Sequence, residues 1–455
     1  MEAYSQPVGR FVRGLTLADI PQAVADKAKL VLLDTLGVAL ASSTMDFGAM
    51  VTRVAQAWGG PEEPISRFRQ QVAAANAVLA NGTLAHGLDY DDTLEEAIVH
   101  TGCCAGMTAL ASARRLARMA DRFWKQPLPA PNSCAKSGLS LRENFMRAAS
   151  IPPHSVLPSA LLRPRENCIA LSWVNGGMRL ESVAVRARGS LNIWLTVPGR
   201  NECIPVGAAH GGEIATLLAR EGFRGPEKVF EGTHGFFQSF GGPTEYHFEK
   251  LLELGKIWET PRLTFKSYPC GSISHPYMDC ALKLRLKYAP APEQIVEVIC
   301  RTAQGPVHRL WEPLADKQRP ASSYGAKFSS PYCIAVMLIR GRAGLEEFTD
   351  EAIHEPSVLA LARKVRYELD STIDYPRHFS GHVKIRLADG SFLEANQAHP
   401  RGGFEDPLPP EEIEAKFRAN ASRRLPPDRA DQIIEAVARL EEMPNVTSLT
   451  DLLKP

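Results

Sequence analysis

The sequence predicts a mainly α fold, with a large all-helical domain formed by both ends of the chain and a smaller α+β domain between them. Three observations predict it. Ala- and Leu-rich stretches with helical spacing fill the first quarter, short β-branched runs and a hairpin signal gather between residues 265 and 395, and helical spacing returns after 396. At 455 residues the chain is long for one core, which also favours two domains. The expected boundaries are 1–264 for the helical domain, 265–395 for the α+β domain, and 396–455 for C-terminal helices that return to the helical one.

The first helix is expected over residues 21–41, PQAVADKAKLVLLDTLGVALA, where Val24, Ala28, Val31, Leu32 and Thr35 share one stripe and the proline sits at the tolerated start. Residues 70–87 and 102–113 are Ala-rich and poor in strand formers, and 208–221 resumes the same style, so all three read as helix. From 265 onward the texture changes: residues 294–299 read as a strand, and VKIRLADGSFLEA reads as a hairpin turning on Asp389 and Gly390. Over residues 428–443, Ile433, Val437 and Leu440 fall at i, i+4 and i+7, the mark of a helix that packs back on the first domain.

The balance of 52 basic against 51 acidic residues leaves a net charge of +1, so no global field points to nucleic acid or to a membrane surface. Any anionic ligand must be held locally. No apolar run has the length of a membrane span and the N-terminus lacks the layout of a signal peptide, so a cytoplasmic protein is expected. Nine cysteines without CxxC or CxH spacing are read as free thiols rather than a disulfide framework or zinc cluster. The adjacent Cys103 and Cys104 diverge by about 100° on a helix, which argues against a shared metal.

One interval breaks the pattern. Residues 114–205 carry 14 Lys or Arg against 5 Asp or Glu, with prolines scattered through every candidate helix. Such a local failure of consistency is expected of an insertion, a linker or a damaged gene.

Residues 81–100, NGTLAHGLDYDDTLEEAIVH, closely resemble the signature of the MmgE/PrpD family, which includes 2-methylcitrate dehydratases, cis-aconitate decarboxylases and iminodisuccinate epimerases. Other blocks agree in order. LLDTLGVALA resembles the family's first core helix, AAHGGEIATLLAREGFRGP and EGTHGFFQSFG its following helix and Gly-Phe loop, FKSYPCGSISHPYMDCAL the start of its second domain, and ANQAHPRGGFEDPLPPEEIEAKFRANA the end of that domain. The likeness fails in the aberrant interval, where relatives carry ARGFHPT and DGSWTKRxHPGWAAH while this chain has MRAASIPPHSV and LTVPGRNECIPVGAAH. Residues 144–155 admit codons that spell FHARGFHPTAF in a shifted frame, and residues 190–210 admit a run close to IIEYLADGSWTKRMHPGWAAH. A single displaced reading frame over about 115–206 accounts for both departures.

The reactions of this family all require proton transfer at carbon and stabilisation of an enolate-like charge. The resemblance implies a cofactor-independent lyase acting on a small polycarboxylate, 2-methylcitrate dehydratase-like, as a homodimer and without metal. Decarboxylation of cis-aconitate and epimerisation of an imino-dicarboxylate remain open, as does a catalytically inactive product of a frameshifted gene. It also implies that His100 is the acid/base, that Asp89 orients it, and that Thr93 lines the pocket. The ordinary reading of Asp89, Asp91, Asp92 and Thr93 is a helix N-terminal cap, and a metal-binding DxDD reading is set aside.

Lys266 resembles the lysine that faces the substrate carboxylates, although an isolated lysine is ordinarily a surface charge. His275 aligns with a recurrent family histidine, and Tyr332 resembles a pocket tyrosine whose alternative is ring packing. Asp89, Thr93, His100, Lys266 and Tyr332 are expected to converge on one cleft. His86 and His210 read as core histidines, and Gly235 and Gly241 lack the context of a phosphate loop. The FHPT histidine and the WTKR pair have no bearer here.

If residues 114–205 are an out-of-frame reading, limited proteolysis with mass mapping should cut first within them. Resistance equal to that of the flanking helices would make the interval a genuine variant with a rebuilt pocket.

Overall fold

A computed structural model describes residues 2–59, 63–65, 68–95, 97, 99–124, 204–220, 223, 225–241, 246–444 and 446–454. These gather into two compact units, one comprising Met1–Leu263 with Pro409–Pro455, the other Thr264–Leu408.

In the first unit, α1 (Ser5–Gly14) precedes α2 (Gln22–Ser42). Nearly every residue of α2 from Val31 to Ser42 is buried, so it is a core helix without a polar face. After α3 (Asp46–Ala57) comes a short hairpin of β1 (Glu63–Ile65) and β2 (Phe68–Val72), then α4 (Ala74–His86). The helix expected from Gln70 therefore starts four residues later, because Phe68–Val72 pairs with β1 in an antiparallel ladder that the Ala content of the following residues hides. Then come α5 (Gly102–Trp124), α6 (Ile204–Arg220) and α7 (Phe236–Gly241). Helix α5 runs to Trp124, eleven residues into the 114–205 interval expected to be aberrant, since no proline occurs before Pro127 to stop its propagation. Residues 125–203, with most of the proposed out-of-frame reading, lie outside the described residues.

The second unit holds α8 (His275–Tyr288), β3 (Ile295–Thr302), α9 (Ser330–Arg340), α10 (Pro356–Ala362), β4 (Val365–Leu369), β5 (Gly381–Leu387) and β6 (Phe392–Gln397), followed by a turn-rich stretch to Leu408. The sheet order is β4-β3-β5-β6, with β3 and β4 parallel and the other pairs antiparallel. The expected strand near 294–299 is β3, and the Asp389–Gly390 turn joins β5 to β6, with Gly390 at φ 84° where a side chain would be strained. Alternate burial of Ile295, Val298, Cys300 and Thr302 along β3 shows one face turned to a core.

The chain then returns to the first unit as α11 (Pro410–Ala421), α12 (Pro427–Ala438) and α13 (Thr447–Leu452). Phe417, Ile433, Val437 and Leu449 share the cluster of Leu32, Leu36 and Leu40, so the core of this unit is closed by residues nearly four hundred positions apart. Gly37 permits the contact, because a Cβ there would stand 2.9 Å from the Phe417 ring and 3.3 Å from its Cα. A buried ion pair reinforces it: Lys416 Nζ of α11 lies 2.7 Å from Asp34 of α2, donates to the Tyr90 carbonyl at 2.8 Å, and sits 3.8 Å over the Tyr90 ring. Among the described residues no single helix is long and apolar enough to cross a membrane.

Replacing one member of that pair leaves the other charge buried without its counter-charge. Lys416→Met is expected to cost about 3–5 kcal/mol in chemical denaturation, and the double variant Lys416→Met with Asp34→Asn to recover part of it; a neutral single variant would show that the pair is hydrated.

Candidate active site

The loop between α4 and α5, residues 87–101, is shaped by its own aspartates. Asp89 takes a left-handed conformation, φ 53°, and its N–H donates to the His86 carbonyl at 2.9 Å, turning the chain sharply out of α4. A tight return follows, closed by backbone hydrogen bonds between Leu94 and Val99 at 2.8 and 3.4 Å.

Asp92 ties the return to α5. Its Oδ2 accepts from Thr101 N at 3.1 Å and Thr101 Oγ1 at 2.7 Å, and its Oδ1 accepts from Gly102 N at 2.8 Å, the first residue of α5. The capping reading thus holds for Asp92 through an acceptor ten residues upstream of the helix, not through the local run. Gly102 makes room, since a Cβ there would collide with the Asp92 carboxylate and the Thr35 hydroxyl. Burial first and the neighbouring Asp91 carboxylate second push the Asp92 carboxyl up to about 6, against the lowering effect of these three donors.

The same residue orients His100. The Asp92 carbonyl lies 2.8 Å from His100 Nδ1, and because a carbonyl only accepts, this contact is a hydrogen bond only when the proton is on Nδ1, which leaves the lone pair of the neutral ring on Nε2. Thr93 Oγ1 stands 3.3 Å from the same Nδ1. The carboxylate set against it is Asp91, 3.7 Å away, and His100 keeps 16% of its side chain exposed while Asp91 is fully buried. Behind His100 lies His86, ring centroids 4.7 Å apart, with Nδ1 donating to Asp91 at 2.9 Å. Burial opposes charge on His86, but the Asp91 carboxylate outweighs it and raises the imidazole well above its ordinary value.

Of the expected residues, the structure brings Thr93 and His100 into contact, with Asp89 at the start of the same loop. His86 is the buried, hydrogen-bonded histidine the sequence suggests, yet its ring also lies against that of His100, tilted by 53°. Asp91, read in the sequence as a capping residue, instead faces both histidines, a link the sequence reading does not contain. Lys27 is another omission: burial pulls its ammonium down to about 8 despite the nearby Asp92 and Asp34 carboxylates. Cys103 and Cys104, expected to diverge, have sulfurs only 3.8 Å apart, because side-chain rotation offsets the angle between neighbouring Cα–Cβ bonds. His210, on α6, sets its ring 6.0 Å from that of Trp58.

In the second unit, Lys266, His275 and Tyr332 are each about 1% exposed. His275 opens α8, its Nε2 3.4 Å from the Cys270 carbonyl and its ring edge-on to Tyr268 at 5.1 Å. Tyr268 in turn donates to Asp279 at 2.7 Å. Tyr332 lies on α9, donates its hydroxyl to the Glu347 carbonyl at 2.6 Å, and packs its ring against Phe348. A hydrogen bond of 2.9 Å between Ser274 and Ser330 joins the starts of α8 and α9, so His275 and Tyr332 belong to one rigid corner.

The raised Asp92 carboxyl has a consequence for stability. Between about pH 4 and 6 the folded chain holds a proton that the unfolded chain has lost, so this group's contribution is largest at the acid end and declines as pH rises through about 6. In denaturation series Asp92→Asn should lose that slope and start less stable from the missing acceptor; parallel pH curves would show that Asp92 titrates normally.

Comparison with known proteins adds an independent line. Residues 6–143 match the MmgE/PrpD N-terminal domain and residues 268–442 the MmgE/PrpD C-terminal domain. The chain is 30% identical over 259 residues to a cis-aconitate decarboxylase-like protein of Aspergillus oryzae, a match spanning 54% of this chain and about half, 53%, of that relative. It is 25% identical to the cis-aconitate decarboxylase of Mus musculus across 100% of this chain and 94% of the relative. A 2-methylcitrate dehydratase of Cupriavidus necator is 26% identical over 296 residues, 61% of this chain and 57% of the relative. Both domain types are matched in their family order, and the loop that shapes the His100 site falls inside the first, so the chain belongs to the MmgE/PrpD family.

Proposed function

We propose that the chain is a lyase acting on small polycarboxylic acids, with His100 moving a proton at a carbon beside a carboxylate. The observation that carries this is the 2.8 Å contact between His100 Nδ1 and the Asp92 carbonyl, which favours the tautomer with its lone pair on Nε2, in a side chain that stays partly exposed. In the leading reading, dehydration of a 2-methylcitrate-like acid, Nε2 removes the proton next to the carboxylate, the C–OH bond breaks as the double bond forms, and the imidazolium returns that proton to the departing hydroxyl, which leaves as water. Asp89 and Thr93 shape the pocket around His100. Lys266, His275 and Tyr332 are proposed to hold the substrate on the strength of their family motif; the hydrogen bond from Tyr332 to Glu347 suits a packing role for its ring equally well.

Decarboxylation is the second reading, favoured by the alignment of the whole chain with a cis-aconitate decarboxylase. There the C–CO₂ bond breaks, carbon dioxide departs, and the resulting carbanion takes its proton from His100.

Proton NMR in deuterated buffer separates the two on a panel of 2-methylcitrate, citrate and cis-aconitate. Formation of an alkene from a hydroxy acid supports dehydration, loss of CO₂ with one deuterium incorporated supports decarboxylation, and a folded chain that turns over no acid in the panel overturns the lyase reading. His100→Ala should lower turnover by about 10² to 10⁴, the usual contribution of a positioned acid/base. An unchanged rate would reduce His100 to packing.

A further inference from the structure

Beneath His100, ligand atoms of His86, Asp91 and Cys103 lie within 4.8 Å of one another, and all three residues are buried. We propose that these residues form a binding site for a thiophilic divalent cation of the zinc type, which switches off the histidine beside it.

The donor set is one imidazole nitrogen, one carboxylate oxygen and one sulfur, the mixture that zinc takes in tetrahedral sites. Its charge also fits. A thiolate and a carboxylate neutralise a divalent ion with the imidazole neutral, so the complex adds no net charge to a dry interior. Three protein donors leave the fourth position of a tetrahedral ion to a small ligand such as water. Binding forms a metal–sulfur bond and releases the Cys103 thiol proton to solvent; it also requires His86 to give up the proton on the ring nitrogen that takes the metal. No oxidant or reductant is needed.

The inhibitory part of the proposal rests on the role given to His100. Asp91 sits 2.9 Å from His86 Nδ1 and 3.7 Å from His100 Nδ1, so a cation that claims Asp91 and His86 neutralises the carboxylate set against His100 and places its own charge beside that ring. Cys103 Sγ also approaches the His100 carbonyl at 3.5 Å, linking the metal to the backbone that aims the ring.

The test uses the full chain stripped with chelator and titrated with cobalt(II), then zinc(II). One equivalent of cobalt should give a sulfur-to-cobalt charge-transfer band with tetrahedral visible absorption, and zinc should abolish both. Cys103→Ala should lose the band and bind zinc at least about a hundredfold more weakly, while Cys300→Ala, a buried thiol on β3, should keep both. Should Cys103→Ala fail to fold by circular dichroism, alkylation of the wild-type chain mapped by mass spectrometry decides: zinc must slow modification of Cys103 and leave Cys300 unaffected. Absence of a thiolate band at one equivalent, its survival in folded Cys103→Ala, or equal alkylation with and without zinc would overturn the site. Zinc bound at Cys103 with turnover unchanged would sustain the site and overturn the inhibition.

Discussion

The Asp92 carboxylate is the constraint on which the site depends. Taking a carboxylate out of water beside a second one is costly, and its raised pKa records that cost. What offsets it are three hydrogen bonds from Thr101 and Gly102, each charge-assisted and so of the stronger kind, at about 1.5–3 kcal/mol. Because the same residue offers its carbonyl to His100, closing the loop onto α5 and choosing the imidazole tautomer are one event.

The helical core supplies the rigid ground for that event. Helix α2 buries nearly all of its second half, α11 reaches it over Gly37, and Lys416 connects Asp34 to the Tyr90 carbonyl within the loop itself. The C-terminal segment therefore has a direct hold on the residues that precede Asp91 and Asp92. A perturbation of α11 should be felt at His100 through Tyr90, although no residue of α11 belongs to the site.

Much of this was legible in the sequence, and the limits are physical. Strong periodicity located α2, α12 and the β5–β6 hairpin, because burial of one face imposes a spacing that survives in the residues. The strand at Phe68–Val72 was missed because it is short and abuts an Ala-rich helix, and α5 extended past Arg114 because charge alone does not halt a helix. In the site, His100, Thr93 and Asp89 were found through a motif rather than through spacing. Asp91 and His86 were not, since their partnership exists only once the left-handed turn at Asp89 folds the loop back over α4. The proximity of the Cys103 and Cys104 sulfurs depends likewise on rotamers, which backbone periodicity does not encode.

The central claim is that the protein fixes the proton of His100 on Nδ1 and so presents Nε2 as a base. Free imidazole favours the opposite tautomer, so the claim is distinctive. Long-range ¹H–¹⁵N spectra of histidine-labelled chain, assigned with His100→Gln, read the state of each ring nitrogen directly. Above the titration of the ring, the account predicts a protonated Nδ1 and a lone-pair shift at Nε2; a protonated Nε2 with a bare Nδ1 would contradict it.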